Sequence, residues 1–172
     1  MLGPHIIFYC SMSVAVEKQP PTHFCFLVGA GGTGKTTLTD MFIAHSKGAN
    51  VGKISEVART FMKEHGISQA DLSDTNLFSS LQKSIARRQL AEERKYEASK
   101  NSVVISDRSV IDAVVYSILT LPCGGEREQM QPDAEKNLIF NRLSELVGSD
   151  DCAREVLRRY QSSMFVLVYP FN

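Results

Sequence analysis

The stretch "FCFLVGAGGTGKTTLTDMF", Phe24 to Phe42, sets four glycines and a lysine followed by two threonines directly after an apolar run. An apolar segment, His23 to Val28, running into glycines and then into helix-forming residues as far as about Ser46, is a strand–loop–helix unit. Inside it, Gly29-Ala30-Gly31-Gly32-Thr33-Gly34-Lys35-Thr36 fits the spacing G-x-x-x-x-G-K-[ST] in the setting that spacing requires, after a strand and opening a helix. The glycines let the backbone curl so that successive N–H groups face one point, an anion nest at the positive end of the helix. A polyphosphate is the expected occupant, ATP or GTP, cradled by Gly29, Ala30, Gly31, Gly32, Thr33, Gly34, Lys35, Thr36 and Thr37. Lys35 is expected to reach the β- and γ-phosphates and the Thr36 hydroxyl to ligate Mg²⁺. The plainer alternative is a glycine-rich turn that holds nothing.

Working outward, the first helix is expected to end at Gly48, and "VGKIS" (Val51 to Ser55) reads as a second strand, followed by a short helix to about His65 and Gly66. A long helix is expected from about Asp74 to Ser99, with Leu77, Leu81 and Ile85 on one stripe and solvated Arg, Lys and Glu elsewhere. "SVVIS" (Ser102 to Ser106) is the third strand; the helix "VIDAVVYSILTL" follows, stopped by Pro122 and the turn at Gly124 and Gly125. Helices over about Ala134 to Val147 and Asp151 to Tyr160 lead to a fourth strand, "MFVLVY", Met164 to Tyr169. Strands separated by helices predict an α/β fold, a parallel sheet covered on both faces.

Composition narrows the function. The 172 residues, 43% hydrophobic and 22% charged, are those of an ordinary globular domain, and 19 basic residues balance 19 acidic ones. No whole-protein field points to nucleic acid or an acidic membrane, so local sites must carry the function. Cys10, Cys25, Cys123 and Cys152 are scattered, which disfavours a zinc site or a disulfide framework and favours a reducing, cytoplasmic setting. Residues 1–22 are uncharged before Glu17 and end in Pro20-Pro21 and Thr22; without a basic start or a run long enough to span a bilayer, they are expected to be a flexible extension before the domain at 23–172.

A phosphate loop needs partners. The third strand runs out at Asp107-Arg108-Ser109, where an acidic residue beside the loop strand is placed to hold Mg²⁺ and the adjacent guanidinium suits phosphate. Asp107 and Ser109 read equally as caps of the next helix. Asp112, about one turn into the helix, reads either as pointing back to the same site or as an ordinary solvated helix residue. Glu56 follows the second strand at the carboxyl edge of the sheet, with Arg59 one helical turn later: a base or hydroxyl-orienting carboxylate beside a cation, or simply a helix-start ion pair.

"GAGGTGKTTL", "ISEVART", "RRQLAEE" and "VVISDRSVIDAVVYS", in that order, resemble the P-loop nucleoside and nucleotide kinases, and most closely the kinase-like AAA domain of the NadR ribosylnicotinamide kinase and TRPL-translocation type. The similarity spans about Phe24 to Tyr169. It implies a three-layer P-loop NTPase fold with parallel strand order 2-3-1-4-5, Mg²⁺ with ATP or GTP, and an acceptor site built from the Glu-x-x-Arg segment, the long helix and the Asp-Arg segment. By that carry-over Gln89 joins Glu56, Arg59, Arg108 and Asp112 as an acceptor-side residue, where the plain reading is a solvated glutamine. The Asp-Arg pair draws the chain toward the eukaryotic branch and toward thymidylate-kinase-like sites. The resemblance also implies a lid arginine, a fifth strand and a base-reading loop after Tyr169-Pro170-Phe171-Asn172; without them the expected order is 2-3-1-4, with the fourth strand's outer edge bare.

Two functions are therefore expected. The leading one is Mg²⁺-dependent phosphoryl transfer from a nucleoside triphosphate to a nucleoside- or nucleotide-like acceptor, with Lys35, Asp107, Arg108 and Glu56 as the reacting set and Thr36 and Asp107 on the metal. The alternative is an ATP- or GTP-binding switch or adaptor with little transfer activity.

Overall fold

The apolar runs and their glycine, proline and serine boundaries fold as their periodicities require. The computed structural model describes residues 8–9, 22–47, 49–99, 101–120 and 131–168. In chain order the elements are β1 (Phe8–Tyr9), β2 (His23–Val28), α1 (Lys35–His45), β3 (Val51–Ile54), α2 (Val57–Glu64), a 3-10 turn (Ala70–Ser73), α3 (Thr75–Ala98), β4 (Val103–Asp107), α4 (Val110–Leu119), α5 (Pro132–Val147), α6 (Asp150–Gln161) and β5 (Met164–Leu167). The strands β2 to β5 are the four read from the sequence, and they run parallel in the spatial order β3-β4-β2-β5, which is the expected 2-3-1-4. The sheet has one member more than expected. β1, inside the segment read as a flexible extension, lies antiparallel on β5 with Phe8 opposite Val166 and Tyr9 opposite Phe165, so that edge is not bare there. The expected stops at Gly48, Pro122, Gly124 and Gly125, most of residues 1–22, and Tyr169 lie outside the described residues.

The chain divides into two compact units. The first comprises Met1–Val57, Ala91–Ser109 and Arg158–Asn172, and contains the whole sheet, α1, and the carboxyl-terminal turns of α3 and α6. Alternation along the strands gives its sheet two different faces. On one, Leu27, Ile105, Val166 and Val168 are buried against Leu38 and Ile43 of α1. On the other, Phe26 stacks with both Phe24 and Phe165, and Tyr160 of α6 tilts over Phe26 and meets Phe165 edge-on. Helices thus cover both faces, giving the three-layer arrangement.

The aromatic face carries buried charge that a solvated reading of α3 does not anticipate. Glu93 is fully buried; it accepts hydrogen bonds from Arg159 Nη1 (3.2 Å) and from the Tyr160 hydroxyl (2.8 Å). Arg159 also donates to Glu97 at 2.5 Å, and its guanidinium lies over the Phe24 ring. Paired in this way, the charges clamp the end of α6 to the end of α3 over the aromatic cluster; each partner depends on the other to remain buried. Cys25, on the opposite face, has its thiol pushed up to about 11 by burial, so it stays protonated at neutral pH. Cys25 and Cys152 are free thiols, and Cys10 and Cys123 lie outside the described residues.

The second unit, Ala58–Leu90 and Val110–Leu157, is helical. Its α4 packs on α5, where Arg142 Nε donates to the Ser117 hydroxyl (2.9 Å), and Arg87 Nε donates to the Leu146 carbonyl (3.3 Å) near the end of α5. Arg88 of α3 makes a two-pronged pair with Glu64 of α2, which holds the Glu64 carboxyl below the usual carboxylate range. Among the described residues no helix is long and apolar enough to cross a membrane.

Glu93→Ala leaves Arg159 buried without one of its two carboxylates. It is expected to destabilise the protein by about 3–5 kcal/mol, the range for breaking one side of a buried pair, read as a lower urea midpoint at unchanged slope.

Candidate functional site

The parallel strands of the first unit end together at their carboxyl edges, where α/β sheets gather ligands. Gly29 leaves β2 at φ 145°, and Val168 N–H still donates to Val28 O (2.8 Å) just before it. A Cβ on Gly29 would stand 2.1 Å from the Val168 carbonyl oxygen, so only glycine fits that crossing. The loop closes at Gly34, left-handed at φ 88°, which serves as the N-cap of α1.

Lys35 does not extend outward as the motif reading has it. Its side chain is buried and turned back over its own loop: Nζ donates to Gly29 O (3.0 Å), to Ala30 O and to Thr33 Oγ1 (3.3 Å). Thr33 Oγ1 in turn donates to Ala30 O (3.0 Å). The lysine therefore organises the loop as well as charging it. At the base of α1, Thr36 Oγ1 donates to Asp107 Oδ2 at 2.5 Å, across from β2 to the end of the neighbouring β4.

Asp107 is 1% exposed, and its other oxygen, Oδ1, is buried without a hydrogen-bond partner among the described residues. A carboxylate oxygen left in that state is costly unless something positive completes it. The pair fits a hard cation: Asp107 Oδ1 and Thr36 Oγ1 are oxygen donors beside an anion-binding loop, and Mg²⁺ ordinarily takes one or two protein oxygens plus phosphate and water. Among the described residues no cluster of three or more His, Cys, Asp or Glu could hold a metal ion by itself.

Arg108 comes next and is the only non-glycine residue at positive φ, 102°, among the described residues. Such a conformation costs an L-residue about 1–3 kcal/mol and persists only when its surroundings hold it. The Ser106 hydroxyl donates to the Arg108 carbonyl (2.7 Å). The guanidinium spans the two strands flanking β4: Nη1 donates to Gly29 O (3.1 Å), beyond β2, and Nε lies 3.8 Å from Glu56 Oε1, beyond β3. The side chains of Arg108 and Glu56 are 14% and 19% exposed, enough cover to make the pairing more than a screened surface contact.

The structure thus brings Gly29, Ala30, Thr33, Lys35, Thr36, Asp107, Arg108 and Glu56 into one connected set. Arg59, Gln89 and Asp112 belong to the second unit. Arg59 is exposed on α2 and Asp112 half-buried in the first turn of α4. Gln89 is 2% exposed, which overturns its plain reading as a solvated helix residue; it shares a buried face of α3 with Gln82 and Ala86. Ser106, buried on β4 and bonded to the Arg108 carbonyl, is a residue that the motif reading passed over.

A family model described as an AAA domain matches residues 24–138, more than half of the chain. No curated protein matches. Among solved structures, one described as "Crystal structure of NadR protein in complex with NR" is similar at 21% identity and a TM-score of 0.43, over 84% of this chain and 43% of that one. The chain spans less than half the length of that protein.

Gly29→Ala places a methyl group against backbone that cannot move aside cheaply. The expected result is a loss of more than about 1 kcal/mol of stability, read by chemical denaturation. Gly31→Ala, with nothing within 4 Å of its added Cβ, is the control expected to change it far less.

Proposed function

Since the chain belongs to the AAA domain family, a P-loop NTPase-type nucleotide-binding domain, we propose that it binds ATP or GTP with Mg²⁺ and transfers a phosphoryl group to a hydroxyl of a small nucleoside- or nucleotide-like acceptor. The observation that carries this reading is the buried, unpartnered Oδ1 of Asp107 beside the Thr36 hydroxyl, at the foot of the lysine-bearing loop. The loop amides receive the triphosphate, and the Lys35 ammonium exchanges its loop carbonyls for phosphate oxygens, since a charged acceptor makes the stronger hydrogen bond. Thr36 and Asp107 would hold Mg²⁺, which supplies neutralisation of the phosphate oxygens.

Glu56 and Arg108 support transfer rather than binding alone. They form a carboxylate and guanidinium pair at the sheet edge, partly shielded from water, next to the phosphate loop. Glu56 accepts the acceptor's hydroxyl hydrogen and orients its oxygen; Arg108 stabilises charge that develops on the transferring group. Arg59 and Asp112 are carried as acceptor-side residues on their helical spacing from Glu56 and Asp107, and Gln89 on the resemblance alone. The proposed setting is the cytoplasm, where the thiols of Cys25 and Cys152 stay reduced.

Two substitutions test the halves of the phosphate site. Lys35→Ala is expected to weaken a fluorescent ATP or GTP analogue at least about tenfold, ~1.4 kcal/mol, with thermal unfolding run alongside because Lys35 also braces its loop. Undiminished binding sinks the loop assignment.

Asp107→Asn is expected to lose affinity mainly in Mg²⁺ and little in EDTA, because it removes a charge that faces the cation; equal losses in both point to a structural cap. A screen of nucleoside and nucleotide acceptors with γ-labelled ATP and GTP then decides between transferase and switch. Tight Mg²⁺-dependent binding with no labelled product from any acceptor makes the chain a switch.

A further inference from the structure

We propose that Ser106 is the positioning residue of Arg108, setting through a hydrogen bond from its buried hydroxyl where the guanidinium stands. Ser106 is the fourth residue of the central strand β4, fully buried, with Phe26 and Ile54 beside it in register on the two neighbouring strands. An apolar β-branched residue is the ordinary occupant of such a place, and serine gives up packing there. Its hydroxyl reaches forward two residues to the Arg108 carbonyl at 2.7 Å. That carbonyl belongs to the one described non-glycine residue at positive φ, so the bond bears on the feature of the backbone that most needs holding.

The turn at Arg108 decides the direction of its side chain. In an extended strand successive side chains alternate between faces, and continuing β4 in that way would carry residue 108 to the face opposite Asp107. With φ at 102° the chain breaks that alternation, and the guanidinium instead bridges Gly29 O and Glu56 Oε1 at the edge where the phosphate loop lies. The contact Ser106 makes through its hydroxyl is with the Arg108 backbone, so it acts through Arg108. Its effect on catalysis rests on the proposed phosphotransferase reading, whereas its effect on the arginine does not.

The experiment uses the whole chain, free of nucleotide, with ¹⁵N-labelled arginine. The Arg108 Nε–H resonance is assigned by its loss in Arg108→Lys, and it is expected to lie apart from those of exposed arginines such as Arg59 and to exchange slowly with water. Ser106→Ala and Ser106→Cys both remove the hydroxyl bond, and the cysteine keeps nearly the serine's volume should the alanine variant fold poorly. In both, the resonance is expected to move into the exposed group while the other arginine signals keep their positions. An Arg108 signal that stays in place in the folded variants overturns the proposal.

A second arm measures transfer to an acceptor found in the screen. Ser106→Ala is expected to lower kcat at least about tenfold with KM for the triphosphate within about twofold, and to cost nothing further in an Arg108→Ala background. An equal loss in both backgrounds overturns the positioning role. A shifted arginine signal in a chain that phosphorylates no acceptor leaves Ser106 as the holder of Arg108 and refutes the transferase reading instead.

Discussion

The carbonyl oxygen of Gly29 is the point on which the rest of the site depends. Behind it the chain passes so near Val168 that no side chain fits; in front, the oxygen receives both the Lys35 ammonium and the Arg108 guanidinium. Two cations on one neutral acceptor make sense only because two carboxylates, Asp107 and Glu56, stand within the same connected set. At rest the four charges sum to zero. Both cations donate to loop carbonyls, and carbonyls are weaker acceptors than phosphate oxygens. The resting contacts are therefore the kind that an anion can displace.

The two faces of the sheet divide the labour differently. The aliphatic face needs only packing, and α1 supplies it while presenting its first turn to the loop. The aromatic face contains an arginine and a glutamate with almost no access to water, and such a pair is weak evidence for stability in itself. Its geometric effect is clearer. Phe24 and two glutamates hold one guanidinium, and Tyr160 donates to one of those glutamates, which leaves the end of α6 one register on α3. β5 begins three residues after α6 ends, so that register also fixes where β5, and with it the Val168 carbonyl behind Gly29, can lie.

Much of this was legible in the sequence, for identifiable reasons. The loop was readable because its glycines and lysine have obligatory spacing, and the four parallel strands because short apolar runs were cleanly punctuated. Asp107 could be placed because it ends a strand next to the loop strand. The buried polar residues of α3 were not legible. Gln82, Gln89 and Glu93 recur with helical spacing on the face that also holds Ala86 and Leu90, but a stripe drawn through Leu77, Leu81 and Ile85 leaves them on the polar side. Periodicity shows which residues share a face; it does not show that a glutamate has an arginine 66 residues on to accompany it. The turned backbone at Arg108 left no signal either, because arginine is not a residue from which positive φ is inferred. β1 was missed because two residues are too few to show alternation.

That short strand gives the sheet one edge of an unusual kind. Among the described residues β5 is paired on its outer side along two residues, by a segment running the opposite way from every other strand, while Leu167 beyond them is exposed. A ladder of that length holds by very few backbone hydrogen bonds, each worth about 0.5–1.5 kcal/mol net, so it can be exchanged for a longer strand at small expense. Any parallel strand that joins this sheet beside β5, from further along a longer chain or from another molecule, must first peel away Phe8 and Tyr9. Phe8 and Tyr9 therefore occupy the place beside β5 where a further strand of this sheet would pair.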